Sequence, residues 1–571
     1  MAYGARIVNH EVERSGPAPA YRRGRNSRQR ADRLEHSPQG KQFLEIPPFP
    51  GSRVAAFNRV SGEAVDPGNV LAALVRERVG GAFWASRPPL PGGAVVVRPT
   101  EAVGLARMAF PNRPIVHWPE QDHGCSDADV LVAPLADAWH ILDGATAFIA
   151  APRDSACLIA ALQGVAVYRA DEDGGLRQDV RSPENLLEVV LPAGAGYASP
   201  FTGEPLSALE AIELCGFWRR LIDSNRGIAG GYGFAFWKKE NVEPLLWGGE
   251  APFRFLAAAG EIPSNRPVAL WRSRTPQPVI KALEAAGTPL IEVEDGFLRS
   301  RGLGADCIPP LSIVVDRRGP YFDPSQASEL ELLLQDGKFG PDLLDRAASL
   351  RRTIVQAGLG KYESGGAPME RFDASRRQIL VPGQVEDDRS ILTGGAGLET
   401  NADLLARVRA QAPDAYVIYK PHPDVLAGHR KGAVPKTEAL RFADRIVTDQ
   451  SISALLDMVD EVHVNTSLTG FEALLRGKPV TTYGVPFYAG WGLTTDLGPV
   501  PARRTARRTI DELVAATLLL YPRYLDPISG LPCPAEVAVQ RLAQAPVDGG
   551  NWLVVIRRLQ GKLMRRFRSL R

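Results

Sequence analysis

The sequence of 571 residues predicts an α/β protein in which two Rossmann-like domains face a cleft and a third, degenerate Rossmann-like domain precedes them. Short apolar runs alternate with helical stretches along residues 71–186, 266–316 and 378–483, which is typical of parallel sheets with crossover helices. Polar motifs follow the strands of the second and third stretches, where doubly wound sheets bind ligands. The length also allows three or four domains.

Composition and charge exclude several classes of protein. The chain is 44% hydrophobic with a formal net charge of +2, so neither a disordered chain nor a dedicated nucleic-acid binder is expected. Its five scattered cysteines lack the spacing of zinc ligands and indicate reduced thiols in a cytosolic protein. No signal peptide and no apolar window of about 18 residues is evident, so no membrane span is predicted.

The domain bounds follow from these patterns. We expect a disordered basic leader over residues 1–42, a degenerate half-module over 43–215, Rossmann-like domains over 216–375 and 376–545, and a basic amphipathic helix over 546–571. Strands are predicted at 94–98, 129–133, 164–168, 266–271, 289–293, 378–382, 415–419 and 461–464, and helices at 155–162, 208–224, 326–358, 453–458 and 470–476.

An internal repeat connects the first domain to the last one. Three segments match in the same order: 524–533 with 197–206, 417–425 with 95–103, and 473–480 with 160–167. In this alignment Thr100 replaces His422 and Ile159 replaces Glu472. The loss of polar groups predicts a non-catalytic relic that packs against an active module.

Acidic residues follow two predicted strands. Glu294 and Asp295 come after strand 289–293, beside Gly296, and Asp388 follows strand 378–382 in a loop that also contains Gln384. Carboxylates in such positions serve as general bases or nucleophiles. The alternatives are a solvated turn at the first site and an ordinary acidic surface loop at the second.

Anion-binding residues follow two further strands. Lys420 and His422 alternate with prolines after strand 415–419 and suit a phosphate, although a lone histidine is often structural. Ser467 and Thr469 begin a helix whose N-terminus attracts anions, or else they simply cap it. Glu472 in its first turn could bind a ribose diol or merely favour the helix start.

An aromatic, glycine-rich loop over residues 487–496 packs over a ligand or closes the domain. Together these motifs indicate a nucleotide-sugar transferase with the two-domain, GT-B-type architecture. The acceptor would bind the domain over 216–375, and the nucleotide would bind the domain over 376–545.

Seven segments resemble capsular polysaccharide biosynthesis proteins of the KpsC type, over about residues 230–545: 294–304, 310–316, 319–323, 383–384, 420–423, 465–475 and 486–492. The resemblance implies a retaining β-Kdo glycosyltransferase that uses CMP-Kdo and a phosphatidylglycerol-type, lipid-linked oligo-Kdo acceptor, with no cofactor or metal. Full-length family members carry two tandem modules, and this chain resembles the C-terminal one. Arg272 stands where the family pattern has glycine after Trp271, which could alter the acceptor site.

The resemblance also implies roles for individual residues. Asp295 would act at the acceptor hydroxyl or the anomeric carbon. Retention needs a nucleophile and an acid/base residue, and from the two acidic loops we expect Asp388 as the nucleophile and Asp295 or Glu294 as the acid/base partner. Arg299 and Arg301 would face the acceptor. The residues that would bind the CMP-sugar are Gln384, Lys420, His422, Ser467, Thr469 and Glu472.

Apolar and cationic residues alternate at helical spacing over residues 552–571, which predicts either a helix on an anionic membrane surface or a packing helix. A cytoplasmic protein, peripheral on the inner membrane, is therefore expected, with other capsule assembly proteins as further partners and no nucleic acid. Two other functions stay open: a different, sialyltransferase-like CMP-sugar transferase, and a non-catalytic scaffold for capsule assembly or export.

Overall fold

The computed structural model describes residues 42–544 apart from 64, 122–126, 172–174, 299–308, 361–368 and 429. The predicted leader up to residue 41, the predicted C-terminal helix, Arg299 and Arg301 therefore lie outside the described residues. Three six-stranded sheets and one small three-stranded sheet, each covered by helices, make up the described chain. The predicted α/β class is confirmed.

The first large sheet has the strand order β4-β3-β2-β5-β6-β7 and is parallel except for β7. This is the doubly wound order expected of a Rossmann-like sheet. A three-stranded antiparallel sheet, β1-β8-β9, lies beside it. The elements are β1 Arg59–Ser61, α1 Pro67–Glu77, β2 Val95–Val97, α2 Val103–Ala109, β3 Ile115–His117, β4 Val130–Leu131, α3 Ala138–Ile141, β5 Ala147–Ile149, α4 Ala156–Leu162, β6 Ala166–Ala170, β7 Leu176–Gln178, α5 Pro183–Val190, β8 Ala195–Ala198, β9 Pro205–Leu206 and α6 Ala208–Asn225.

The second large sheet is mixed rather than doubly wound. Its strands β10, β11 and β12 are parallel, whereas β13 pairs antiparallel with β12. The helical stretch predicted over 326–358 is two helices, because Gly337 ends the first and the pair Gly340-Pro341 starts the second. The elements are β10 Gly231–Tyr232, α7 Phe236–Leu246, β11 Val268–Leu270, α8 Gln277–Ala285, β12 Leu290–Asp295, β13 Ser312–Asp316, α9 Glu329–Asp336 and α10 Pro341–Gln356.

The third large sheet is parallel throughout, with the order β16-β15-β14-β17-β18-β19. Its central strand β14 is buried on both faces, as expected of a strand that is apolar after its first residue, Gln378. The elements are β14 Gln378–Pro382, α11 Arg389–Gly394, α12 Asn401–Gln411, β15 Tyr416–Lys420, α13 Pro423–Leu426, α14 Lys436–Ala439, β16 Arg445–Ile446, α15 Ile452–Met458, β17 Glu461–Val464, α16 Leu468–Leu475, β18 Val480–Thr482 and β19 Thr495–Asp496.

The chain then returns to the second sheet. Strand β20 pairs antiparallel with β13, and the hairpin partner β21 completes the sheet edge. A π-helical turn, Ala515–Leu520, precedes β20. The last elements are α17 Ile510–Val514, β20 Pro522–Leu525, β21 Pro532–Cys533 and α18 Ala535–Gln544. The predicted domain bounds place these strands with residues 376–545, although they complete the sheet of residues 231–316.

Two anchors of the predicted repeat occupy equivalent positions. Hairpins β8–β9 and β20–β21 share one register, with Tyr197 opposite Leu206 and Tyr524 opposite Cys533. Helix α4 leads into β6 as α16 leads into β18. The third match, of segment 417–425 with segment 95–103, is wrong because it pairs β15 with β2. In the first sheet β2 holds the central position that β14 holds in the third sheet, so the strand that corresponds to β15 is β3. Valine-rich strands resemble one another in sequence, and only the strand order separates them.

The helix start that corresponds to Ser467 is already occupied by a carboxylate in the first sheet's domain. Asp154 Oδ1 accepts a hydrogen bond from the Ala156 amide at 2.8 Å, and Arg98 Nε donates to Asp154 Oδ2 at 2.8 Å. The Asp154 side chain is 4% exposed, and the Arg98 guanidinium lies over the Trp118 ring. A ligand anion would meet this internal carboxylate instead of free amides.

Candidate active site

A cavity of about 740 Å³ lies where the carboxyl ends of strands from the second and third sheets meet. All predicted site residues within the described part of the chain line this cavity: Glu294, Asp295, Gln384, Asp388, Lys420, His422, Ser467, Thr469 and Glu472. Carboxylates come from β12 and the loop after β14, and cations come from the end of β15 and from α7. The structure thus brings together motifs that are up to 178 residues apart in the sequence.

The end of β12 carries an ion pair that the sequence did not reveal. Lys238 Nζ lies 2.8 Å from Asp295 Oδ1 and 3.6 Å from the centroid of the Trp271 ring. Lys238 is only 5% exposed, and all three residues line the cavity. Since Lys238 and Lys239 are neighbours on one helix, the sequence alone does not mark which of them is buried.

Glu294 is the carboxyl group whose protonation the fold changes most clearly at this site. Its Oε1 atom is buried and has no hydrogen-bond partner among the described residues. Desolvation raises the pKa of Glu294 to about 8; Lys238 opposes this rise and Asp295 adds to it. At neutral pH Glu294 is therefore mainly a neutral carboxylic acid that can donate a proton.

Asp388 caps a helix as well as lining the cavity. Its Oδ1 atom accepts hydrogen bonds from the Ser390 amide at 3.0 Å and the Ser390 hydroxyl at 2.9 Å. These two bonds orient the carboxylate at the start of α11. Asp388 is close enough to Glu294 for its charge to raise the pKa of that group.

Lys420 and His422 stand on the side of the cavity formed by the third sheet. Lys420 is 7% exposed, and its Nζ donates to the Gln450 carbonyl at 2.6 Å. His422 Nδ1 accepts a hydrogen bond from the Asp424 amide at 3.1 Å, which caps α13. Because Nδ1 is the acceptor, the neutral ring carries its proton on Nε2, where it can donate to an anion.

The start of α16 supplies further polar groups. Ser467 Oγ accepts from the Thr469 amide at 3.2 Å, so the predicted cap is present. Gln384 spans two loops, because its amide group donates to the Thr466 hydroxyl and accepts from the Thr466 amide, each at 3.1 Å. Gln384 thus holds the segment before α16 in place. Glu472 is 7% exposed and lines the cavity.

The aromatic loop belongs mainly to the core. Tyr488 and Trp491 are fully buried, which favours the domain-closing alternative for residues 487–496. Phe487 packs 4.7 Å from Phe297, and Phe297 packs 4.9 Å from Tyr321, measured between ring centroids. This cluster joins the second sheet to the third one directly beside the cavity, which Phe487 and Tyr321 also line.

Arg272, the departure from the family pattern, does not line the cavity. Its Nε donates to Glu292 Oε1 at 2.5 Å and its Nη1 donates to Glu284 Oε1 at 3.3 Å. Arg272 is absent from the residues that line the cavity, whereas its neighbours Trp271 and Ser273 are among them. The described geometry gives Arg272 an ion-pairing role at the edge of the second sheet.

Among the helices of the described ranges, none combines the length and the apolar character needed to cross a bilayer.

Comparison with known proteins shows a similarity to one protein family. The model of a family described as "Capsule polysaccharide biosynthesis protein" matches residues 266–364 and 342–524. The capsule polysaccharide modification protein LipA of Neisseria meningitidis serogroup A is 38% identical over 388 residues, which are 66% of this chain and 55% of LipA. The lipopolysaccharide-processing protein LpsZ of Rhizobium meliloti is 47% identical over 259 residues, 45% of this chain and 59% of LpsZ.

Two solved structures also match. They are the beta Kdo 2,7 transferase and the beta Kdo 2,4 transferase of Thermosulfurimonas dismutans KpsC, with identities of 36% and 32% and TM-scores of 0.45 and 0.48. Each match covers 55% of this chain and 97% or 98% of the solved one. The chain spans about half the length of the curated relatives that it matches. The family model and the curated relatives thus show that this chain is similar, over part of its length, to capsule polysaccharide biosynthesis proteins.

Proposed function

We propose that this chain is a retaining GT-B-type glycosyltransferase that moves β-Kdo from CMP-Kdo onto a lipid-linked oligo-Kdo acceptor of the phosphatidylglycerol type, in the synthesis of a capsule linker. One observation carries the proposal: a single cavity collects a carboxyl pair on one side and anion-binding groups on the other. That pairing suits transfer of a sugar from a phosphate leaving group. The names of the two KpsC structures make Kdo the first sugar to test, and the resemblance of the sequence motifs makes CMP-Kdo the first donor.

The third sheet would bind the nucleotide. Lys420, the Nε2 proton of His422 and the start of α16 with Ser467 and Thr469 would stabilise the CMP phosphate as it leaves. Glu472 would accept hydrogen bonds from the ribose hydroxyls. No metal is required in this proposal, since the leaving group is a phosphate monoester rather than a diphosphate.

Retention by double displacement needs a nucleophile and an acid/base residue. We assign the nucleophile to Asp295 rather than Asp388, because Asp295 is ion-paired with Lys238 directly beside Glu294, whereas Asp388 caps α11. In the first step Asp295 would bond to the anomeric carbon as the bond to the CMP oxygen breaks, and Glu294 would give its proton to that oxygen. In the second step the acceptor hydroxyl would displace Asp295 and return a proton to Glu294.

Incubation with CMP-Kdo and a synthetic Kdo-terminated acceptor tests the reaction. We expect a β-linked product by NMR and no product with Asp295→Ala or His422→Ala, while Glu240→Ala, on the exposed part of α7, keeps wild-type activity. Full transfer by either site variant refutes the assignment. Transfer from CMP-sialic acid alone would instead indicate a sialyltransferase-like enzyme, and a lack of CMP binding would indicate an assembly or export scaffold.

Mass spectrometry separates the two candidate nucleophiles. When the protein is denatured after incubation with CMP-Kdo without acceptor, we expect a Kdo adduct on the peptide that contains Asp295. An adduct on the peptide that contains Asp388 would restore the division of roles predicted from the sequence.

We further propose that residues 43–215 are non-catalytic, since Asp154 and Arg98 occupy the place of an anion site in that sheet. The protein would act at the cytoplasmic face of the inner membrane, with residues 552–571 contacting anionic lipid and other capsule assembly proteins as partners. Deleting residues 552–571 should abolish binding to anionic liposomes and leave transfer to a soluble acceptor intact. Unchanged liposome binding would refute this role.

A further inference from the structure

We propose that Lys238 is a positioning residue that holds the Asp295 carboxylate in one orientation and keeps the negative charge of the adjacent carboxyl pair on Asp295. The inference rests on the proposed transferase function, because it assigns a task to Lys238 within that reaction.

Two contacts from different elements fix the Lys238 ammonium group. Helix α7 carries Lys238, the end of β12 provides Asp295 at 2.8 Å, and the residue after β11 provides the Trp271 ring at 3.6 Å. The lysine side chain is 6% exposed, whereas the aspartate side chain is 24% exposed toward the cavity. A buried ammonium is costly unless it is paired, so the ion pair and the ring face together hold Lys238 charged at this point.

Asp295 faces both the cavity and Lys238. The pair uses Oδ1, the aspartate lines the cavity, and the lysine approaches from the side that Trp271 covers. A carboxylate fixed in this way meets a bound sugar from a single direction, which is the orientation effect that positioned groups contribute to catalysis.

The charges around Glu294 explain why one cation has a large effect. Lys238 faces Glu294 from α7, Asp295 and Glu292 lie on the same strand β12, and Asp388 faces it from the loop before α11. Lys238 is thus the cation that opposes the charges of these carboxyl groups at Glu294, while Glu292 is also paired with Arg272. Without the Lys238 ammonium group, these carboxyl groups would bind a second proton more readily. Asp295 would then no longer keep the negative charge while Glu294 keeps the proton.

The test compares Lys238→Met, which keeps the length of the side chain, with Lys238→Arg, which keeps the charge. Lys239→Met is the matched control, because Lys239 is on the same helix, contacts the Phe255 ring and does not line the cavity. We expect Lys238→Met to lower kcat by about 100-fold, within the range of an acid/base contribution, with little change in KM for CMP-Kdo. Lys238→Arg should recover part of kcat, and Lys239→Met should match the wild type.

The pH profile distinguishes positioning from a merely structural role. Lys238 lowers the pKa of Glu294, so its removal raises that pKa and moves the alkaline fall in kcat to higher pH. Wild-type kcat with an unmoved profile in Lys238→Met overturns the proposal. So does a loss of kcat that Lys239→Met reproduces.

Infrared difference titration provides a readout that does not depend on turnover. The carboxylic-acid band of the cluster should persist to higher pH in Lys238→Met than in the wild type, and Glu294→Gln should remove it. If the wild type transfers no sugar, the proposed function fails, yet this band still decides the role of Lys238. If Lys238→Met does not fold, the same titration is made on Lys238→Arg, which keeps the positive charge. The carboxylic-acid band of Lys238→Arg should then disappear at the same pH as that of the wild type. A band that persists to clearly higher pH in Lys238→Arg overturns the inference.

Discussion

Replacing Glu294 with glutamine should make the protein more stable relative to the wild type as the pH rises. In the folded protein desolvation raises the pKa of Glu294 to about 8, against an ordinary value of 4.5. Between these values the unfolded chain has released the proton and the folded chain still holds it, so the free energy of unfolding falls with increasing pH. At 1.36 kcal/mol per pKa unit, the full loss approaches about 5 kcal/mol, which is an upper bound.

Glutamine has nearly the same shape and does not titrate, so Glu294→Gln lacks this loss. Chemical denaturation at pH 5, 6, 7, 8 and 9 should show a gap between variant and wild type that widens up to about pH 8 and then levels off. Glu240→Gln, which changes an exposed carboxyl on α7, should show a constant gap. A gap for Glu294→Gln that does not vary with pH would refute the reasoning, whatever its absolute size.

Three further substitutions test the framework around the cavity and the role of the first domain. Arg504→Met removes a 2% exposed cation that donates to Glu331 at 3.0 Å, and it should cost about 1–3 kcal/mol in urea unfolding, because the Pro486 and Ala489 carbonyls lose their donor while Glu331 keeps Arg503. Gly470→Ala places a methyl group against the Tyr488 hydroxyl and should lower stability by about 1–3 kcal/mol, visible as a lower thermal midpoint. Asp154→Ala should lower stability by about 1–3 kcal/mol and leave CMP binding and transfer unchanged; a loss of both in folded protein would contradict a non-catalytic first domain.

Much of the architecture was predictable because the strands are short and apolar and end in polar loops. Strand β14 was placed at its observed bounds of residues 378–382, and α6 was predicted within one residue. The antiparallel β12–β13 pairing was not predictable, since both strands are buried and their patterns carry no direction. The return of β20 to the second sheet depends equally on long-range packing.

The composition of the candidate site was predictable to a similar degree. Residues such as Asp295 and His422 stand at strand ends, and parallel strands bring their carboxyl ends to one edge of a sheet. Lys238 escaped prediction because it sits inside a helix and becomes a site residue only through its contact with β12. The raised pKa of Glu294 is likewise a product of burial, which the sequence motif does not encode by itself.

Because β20 returns to the second sheet, the domain built on that sheet consists of two segments that are separate in the sequence. This arrangement affects any shortened protein. A chain that stops before Pro522 would leave β13 with one bare hydrogen-bonding edge, because β20 normally covers it. Bare, apolar edges recruit strands from other molecules, so such truncations should aggregate even though every residue of the cavity is retained. To produce the domains of the second and third sheets separately, the segment from β20 onward would have to be joined to the part of the chain that contains β13.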